Sequence, residues 1–138
     1  MPNEFSQISY LGKEYETYVD RNQCGFVRLC KTTPDQMFHS YVVPQATGNR
    51  MDVRYATFSD GETDLTISAV NPFQFSALPY SDANIDNAKH LNELLPEEMF
   101  TVHIDAKQMG IGTATCGPSV LPQYLIPLKK TTFEFIIK

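Results

Sequence analysis

The stretch Met51–Val70, MDVRYATFSDGETDLTISAV, decides the fold class of this chain. In both halves of the stretch, apolar side chains occupy every second position: Met51, Val53 and Tyr55, then Leu65, Ile67 and Ala69. A period of two is typical of a strand with one buried and one solvated face. The intervening SDGE is a turn signal. We therefore predict two strands separated by a turn.

The same strand signal recurs along the chain. Phe133, Phe135 and Ile137 alternate with more polar neighbours, and five shorter segments are strand candidates: Cys24–Lys31, Phe38–Val43, Phe73–Ala77, Phe100–Asp105 and Gln123–Leu128. Turn signals such as TPD, ATGN and NP separate them. About eight antiparallel strands of this kind predict a mainly β fold, an antiparallel β-sandwich.

One segment, Asp82–Leu95, has helical periodicity instead. Ser81 or Asp82 can cap a first turn, and Pro96 marks the far limit. One apolar stripe at helical spacing is formed by Ile85, Ala88, Leu91 and Leu95. We predict one short helix at about 82–95 that packs against the sheet.

Size and charge narrow the class of protein. A chain of 138 residues can bury a core without metal or disulfides, so we expect a single domain over 1–138. The net charge of −5 is unsuited to nucleic-acid binding. No apolar run approaches the roughly 20 residues that span a bilayer. Nucleic acid and membrane are therefore not expected partners.

The cysteines and the first residues bear on the compartment. Cys24, Cys30 and Cys116 are odd in number and irregularly spaced, which favours a reducing environment. MPNEFSQIS lacks the basic start and apolar core of a signal peptide. We expect a soluble, cytoplasmic chain, or a periplasmic one if a longer parent carries an export signal.

The stretch Gln108–Pro118, QMGIGTATCGP, raises three alternatives. It departs from a dinucleotide fingerprint, because Thr115 stands where the third glycine belongs and prolines follow where a helix should run. Cys116 could serve as a thiol nucleophile with His103 or His90 as its base. The interpretation we favour is a glycine-rich turn.

Metal and cofactor sites are not predicted. Cys24, Cys30 and His39 match no zinc spacing, and the histidines are scattered. We expect neither a metal nor a cofactor in this chain.

The segment Tyr10–Arg21, YLGKEYETYVDR, places carboxylates among tyrosines. In an extended strand Glu14 and Glu16 would share a face about 7 Å apart, between the spacings of retaining and inverting glycosidases. A solvated sheet edge explains the same pattern. The following row of Asn49, Arg50, Asp52 and Arg54 fits either a polar network or a solvated face.

Taken in order, four motifs resemble the C-terminal small-chain domain of the large β-galactosidases of glycoside hydrolase family two. YETYVDR is similar to the family's G-P-x-E-N-Y-x-D-R, PQATGNRMDVRY to its P-Q-E-N-G-N-R-x-D-V-R-W, FSALPYS with DNAKHLNEL to its F-S-x-x-x-Y and A-x-H-x-x-E-L, and IDAKQMGIG to its L-D-x-x-Q-M-G-V-G. The matching positions that we take as the structural motif are Glu16, Tyr18, Asp20, Arg21, Asn49, Arg50, Asp52, Arg54, His90, Asp105, Gln108, Gly110, Gly112 and Gly117.

The resemblance implies a role without catalysis by this chain. In the family the two catalytic glutamates belong to a central (β/α)8 barrel, on which the small-chain domain packs, so the isolated chain is expected to be inactive. Some members contribute an aromatic residue to the galactoside pocket from the position of Thr101, beside Phe100. The family domain begins upstream of residue 1, so the chain is expected to be its later part, with exposed strand edges that favour self-association.

Three hypotheses follow. The first is a non-catalytic region of a β-galactosidase that packs on the barrel and meets the β-galactoside only through the parent enzyme. The second is a free-standing carbohydrate-binding module with Tyr15, Tyr18 and Phe100 as its aromatic platform. The third is a thiol hydrolase that uses Cys116.

Overall fold

A computed structural model describes residues 1–111 and 117–138. The strands are β1 Gln7–Lys13, β2 Val27–Thr32, β3 Arg50–Ser59, β4 Asp64–Leu78, β5 Thr101–Asp105 and β6 Phe135–Ile137. The α-helices are α1 Pro34–Met37 and α2 Asp82–Asn87, and short 3-10 turns cover Asn3–Phe5, Val19–Arg21, Leu91–Glu93 and Pro122–Tyr124.

All six strands belong to one antiparallel sheet in the order β2-β1-β3-β4-β5. The sixth, β6, pairs with β4 at 67–69, whereas β5 pairs with β4 at 74–78. Two short strands thus share one edge of the long β4. The prediction of a mainly β, antiparallel fold is confirmed, and one sheet of this kind is consistent with a β-sandwich-like domain.

The predicted turn in SDGE joins β3 to β4. The Asp60 carboxylate accepts hydrogen bonds from the amides of Thr63 and Glu62 at 2.7 and 2.8 Å, and these bonds, that of Thr63 first, lower the pKa of Asp60. Gly61 has a φ of 96°, which a glycine adopts without steric cost. Local chemistry therefore fixes this hairpin.

The segments 65–69 and 73–77, predicted as separate strands, lie within the single strand β4. The pairing shifts register between Val53↔Phe73 and Tyr55↔Ser68. Pro72 lies in this irregular stretch, where a residue without an amide proton is tolerated. The register shift therefore accommodates the proline that the sequence suggested as a strand break.

The core lies against one face of the sheet. Tyr10, Ala56, Phe58 and Phe75 are at most 1 % exposed. The Phe58 and Phe100 rings approach to 6.1 Å between centroids. Aromatic contacts of this kind bury large apolar areas and hold β1, β3, β4 and the start of β5 together.

The predicted helix at 82–95 is shorter than expected. Helix α2 ends at Asn87, and Ala88 adopts an extended conformation. The Asn84 side chain donates to Leu95 O and accepts from Leu95 N, which folds the chain back. Leu91 and Leu95 are therefore 40 % and 68 % exposed rather than part of a buried stripe.

Other strand assignments also differ. Phe38–Val43 was predicted to be a strand but is not one. Phe38 is the C-cap residue of α1, and the side chains of Val42 and Val43 are exposed. The predicted strand Gln123–Leu128 is also absent, and a 3-10 turn at Pro122–Tyr124 occupies its beginning. In the opposite direction, β1 was not predicted and ends at Lys13. Within the described residues, no helix has the length and apolarity needed to cross a membrane.

Candidate functional site: a polar network and an adjoining cleft

The motif residue Asn49 is at the centre of a buried polar network. Its Nδ2 donates to Thr17 O at 2.7 Å and to Gln74 Oε1 at 2.8 Å. The Thr17 amide donates to Asn49 O, and Thr17 Oγ1 accepts from the Met51 amide. The network therefore ties the segment before Val19 and the start of β3 to the interior of β4.

Arg50 is buried beside it with neutral partners. Its Nε donates to Tyr10 Oη at 3.0 Å and its Nη1 to Gly48 O at 3.0 Å. Burial raises the pKa of Tyr10 to about 12, although the Arg50 charge opposes that shift. Tyr10 is therefore a neutral acceptor for Arg50 at physiological pH.

Gly48 allows the close approach that this network needs. Its φ is 79°, and a Cβ at this position would lie 2.5 Å from Met37 O. Glycine alone fits here, because a side chain would both clash and strain the backbone. The loop before β3 is thereby fixed against α1.

A cleft of about 340 Å³ adjoins the network. Its lining includes Met51, Asp52, Gln74, Gln108 and Tyr124. Asp52 has a φ of 54°, in the left-handed region that aspartate tolerates better than most residues. Gln108 Nε2 donates to Asp105 Oδ2 at 3.0 Å. Most of the lining is apolar, and its polar side chains include three glutamine amides and the charged groups of Asp52 and Lys107.

Gly110 joins the cleft to Asp20. Its amide donates to Tyr124 O over 3.4 Å, and a Cβ there would lie 2.9 Å from Asp20 Cγ. The structure therefore brings together motif residues from distant parts of the sequence: Asp20, Asp52, Asp105, Gln108 and Gly110.

Other motif residues lie outside this group. Tyr18 is buried. Its pKa is raised, mainly by burial and to a smaller extent by the nearby Glu16 carboxylate. Arg21, Arg54, His90 and Gly117 are all exposed. The Nη1 of Arg54 donates to Asp52 O. Gly112 and Cys116 lie outside the described residues, so the proposed thiol site stays a prediction.

The described residues of the cleft do not include the pair of carboxyl groups that glycoside hydrolysis uses. Asp52 is the one carboxylate among its described lining residues, whereas a retaining glycosidase needs two carboxyl groups about 5 Å apart. Glu14 lies past the end of β1 and pairs with Arg28 Nε at 2.8 Å. The idea that Glu14 and Glu16 share one face of a strand is wrong, because the strand ends before both.

A hydrogen-bonded chain of Ser76, His103 and Asp82 superficially matches a hydrolase triad. Ser76 Oγ lies 3.1 Å from His103 Nδ1, and His103 Nε2 lies 3.1 Å from Asp82 Oδ2. In a triad, however, the serine faces substrate and the aspartate is buried. Here Ser76 is 4 % exposed and the Asp82 side chain is 61 % exposed. These two hydrogen bonds therefore link β4, β5 and α2 and do not activate a nucleophile.

The residues expected to meet sugar are divided between core and surface. Phe100 is 2 % exposed and packs in the core, whereas Thr101 is half-buried at the start of β5. Tyr15 is 61 % exposed, but Tyr18 is 6 % exposed. Two of the three aromatic residues of the suggested platform are thus buried. Among the described residues there is no group of three metal-binding side chains.

Sequence reasoning missed Thr17 and Gln74. Gln74 carries a side-chain amide between the apolar Phe73 and Phe75, and this pattern is a usable signal. A buried polar side chain requires a partner, which here is Asn49. Thr17 carries no comparable signal, because its partners come from residues more than thirty positions away.

Comparison with known proteins decides the family. The profile of the family described as "Beta galactosidase small chain" matches residues 1–137. This chain belongs to the β-galactosidase small-chain family. The resemblance to this family that the sequence motifs indicated is confirmed.

Curated β-galactosidases are similar to this small-chain region over a short part of their length. The Staphylococcus xylosus enzyme is 28 % identical over 100 % of this chain and 14 % of its own. The Actinobacillus pleuropneumoniae enzyme is 33 % identical over 85 % and 11 %, and the Bifidobacterium adolescentis BgaC enzyme 34 % over 92 % and 13 %. The small-chain region thus spans between a tenth and a seventh of these relatives.

Proposed function

We propose that this chain is a non-catalytic region of a β-galactosidase, in which it packs against the catalytic barrel and helps to shape the active site. The parent enzyme hydrolyses terminal β-D-galactosides with carboxylates that lie outside these residues.

The observation that carries this proposal is how the family motif residues are used. The side chains of Asn49, Arg50 and Gln108 are engaged with other groups of the same chain. Amide and guanidinium side chains do not act as general acids or bases near neutral pH, and their internal hydrogen bonds fix the backbone segments that they join. This supports a structural role for the motif.

We further propose that the start of β5 lies at the rim of the parent's substrate pocket. Thr101 lines an open cleft of about 800 Å³ together with Glu97 and Met99. Phe100, buried beside it, would set the position of Thr101 rather than contact sugar.

Two measurements test the proposal. The isolated chain should release no product from a chromogenic β-galactoside above a heat-denatured control. A chimera of the Staphylococcus xylosus β-galactosidase, in which this chain replaces the segment that aligns with it, should fold and hydrolyse the same substrate. Turnover by the isolated chain, or an unfolded or inactive chimera, would contradict the proposed function.

A further inference from the structure

On the sheet face opposite the core, two rows of directly paired residues cross five strands. We call the first the apolar row, which consists of Leu29, Leu11, Tyr55, Ser68 and Ile136. The second, the lysine-ended row, consists of Lys31, Ser9, Thr57, Thr66 and Lys138. Directly paired residues in a sheet project to the same side, so the rows form one continuous surface, which we call the outer face.

The outer face is accessible in this chain. None of its ten residues is buried, and Leu29 and Ile136 are 62 % and 52 % exposed. The solvated side of an antiparallel sheet normally carries polar side chains. Four of the five residues in the apolar row are apolar instead. This composition is typical of a surface that another element covers.

The charges of the outer face restrict what can cover it. The lysine-ended row has hydroxyl groups between two cations, and Thr57 Oγ1 and Thr66 Oγ1 lie 2.8 Å apart. No member of either row is acidic. The two lysines are four strand spacings apart, about 19 Å. A complementary surface would be apolar, with a carboxylate near each end.

A second copy of the chain fits this surface poorly. Two outer faces related by a two-fold axis would bring lysine ends near lysine ends, and each copy carries a net charge of −5. Another part of a long parent polypeptide has no such restriction, and the small-chain region covers only 14 % of the Staphylococcus xylosus relative.

We propose that the outer face docks against another region of the parent β-galactosidase, which presents apolar side chains to the apolar row and a carboxylate to each of Lys31 and Lys138. This inference rests on the proposed function and specifies the side of the sheet through which the packing occurs.

Lysine footprinting tests the proposal in the chimera described above. An amine-reactive acetylating reagent should label Lys31 and Lys138 readily in the isolated chain, because both are exposed. In the chimera both should lose this labelling. Lys130, which is exposed and outside the two rows, is the control and should be labelled in both proteins. Equal labelling of Lys31 and Lys138 in both proteins, or equal protection of Lys130, would overturn the proposal.

A substitution gives an independent test. Leu29→Lys should leave the melting temperature of the isolated chain unchanged and lower that of the chimera, because it places a cation in the apolar contact. Val42→Lys is the matched control, since Val42 is 83 % exposed and outside the rows. Equal effects of the two substitutions on the chimera would contradict the proposal.

The two proposals fail in different ways. A folded but inactive chimera contradicts the proposed function. An active chimera with fully labelled Lys31 and Lys138 contradicts only the docking face. If sedimentation of the isolated chain shows a dimer that Leu29→Lys dissociates, the occupant is a second copy, and the proposal is overturned.

Discussion

Asn49 Nδ2 donates a hydrogen bond to Gln74 Oε1 over 2.8 Å, and both side chains are buried. The pair joins the residue just before β3 to the interior of β4, twenty-five residues away. Because Asn49 also donates to Thr17 O, a single amide holds three segments of the chain in register.

Asn49→Ala should therefore destabilise the chain by about 2–3 kcal/mol, since it leaves two buried acceptors without donors. Asn87→Ala is the control, because the Asn87 side chain is exposed and donates only to Ala83 O. Its effect should stay within about 0.5 kcal/mol. Urea unfolding measures both, and equal losses would refute the role of the network.

Gly48→Ala should cost about 3 kcal/mol or more, because strain at positive φ adds to the clash with Met37 O. Gly61→Ala is a matched control for strain without a clash. Gly61 also has a positive φ, but the nearest atom to its added Cβ is Gln7 Nε2 at 3.8 Å. We expect Gly61→Ala to destabilise the chain by about 1 kcal/mol. Similar values for the two variants would show that the approach to Met37 is unimportant.

Tyr10→Phe should have two separable effects. Near neutral pH it removes the acceptor of Arg50 Nε and should cost about 1–3 kcal/mol. In the wild type, burial raises the pKa of Tyr10 from 10.0 to about 12. The stability that neutral Tyr10 provides is present below pH 10 and is lost as pH rises towards 12.

The variant should therefore lose less stability than the wild type over this alkaline range. Tyr15→Phe is the control, because Tyr15 is 61 % exposed. Chemical unfolding at a series of pH values checks the prediction. A Tyr10→Phe profile parallel to that of the wild type would count against it.

Glu97→Gln should reduce the loss of unfolding free energy that the wild type shows as pH falls into the acid range. The pKa of Glu97 is lowered by the Asn84 side chain first and then by the Ser81 amide, which donates to Oε2 at 2.6 Å. A lowered pKa stabilises the fold above the usual carboxyl range, and this stability is lost as pH falls through the folded value. Glu98→Gln, one residue along, should retain the wild-type profile. Indistinguishable profiles for Glu97→Gln and the wild type would rule out this linkage.

Thr101→Ala tests the proposed pocket rim in the chimera. If Thr101 contacts bound galactoside equally in the ground and transition states, its replacement by alanine should raise KM by up to about tenfold. The kcat should stay nearly unchanged. Thr131→Ala, an exposed threonine remote from β5 in sequence, serves as the control. An unchanged KM would exclude contact between Thr101 and substrate.

Periodicity and turn chemistry predicted the β3–β4 hairpin and the strands β2, β5 and β6, because each depends on neighbours in sequence. Local chemistry also predicted the start of α2, where Ser81 Oγ accepts from the Asn84 amide. The end of α2 was not predictable in this way. It depends on a side chain of the first turn reaching Leu95, eleven residues on.

The amino-acid sequence by itself determined the mainly β class, the hairpin at Asp60–Thr63 and the family motifs, since these follow from alternation, turn residues and residue order. Only the tertiary structure decided that Asn49 meets Gln74, that Phe100 is core, and that Ser76 is too buried to act as a nucleophile. The physical reason is that burial and hydrogen-bond partners across a sheet depend on strand register. A register that shifts part-way along a strand pair cannot be derived from one strand alone.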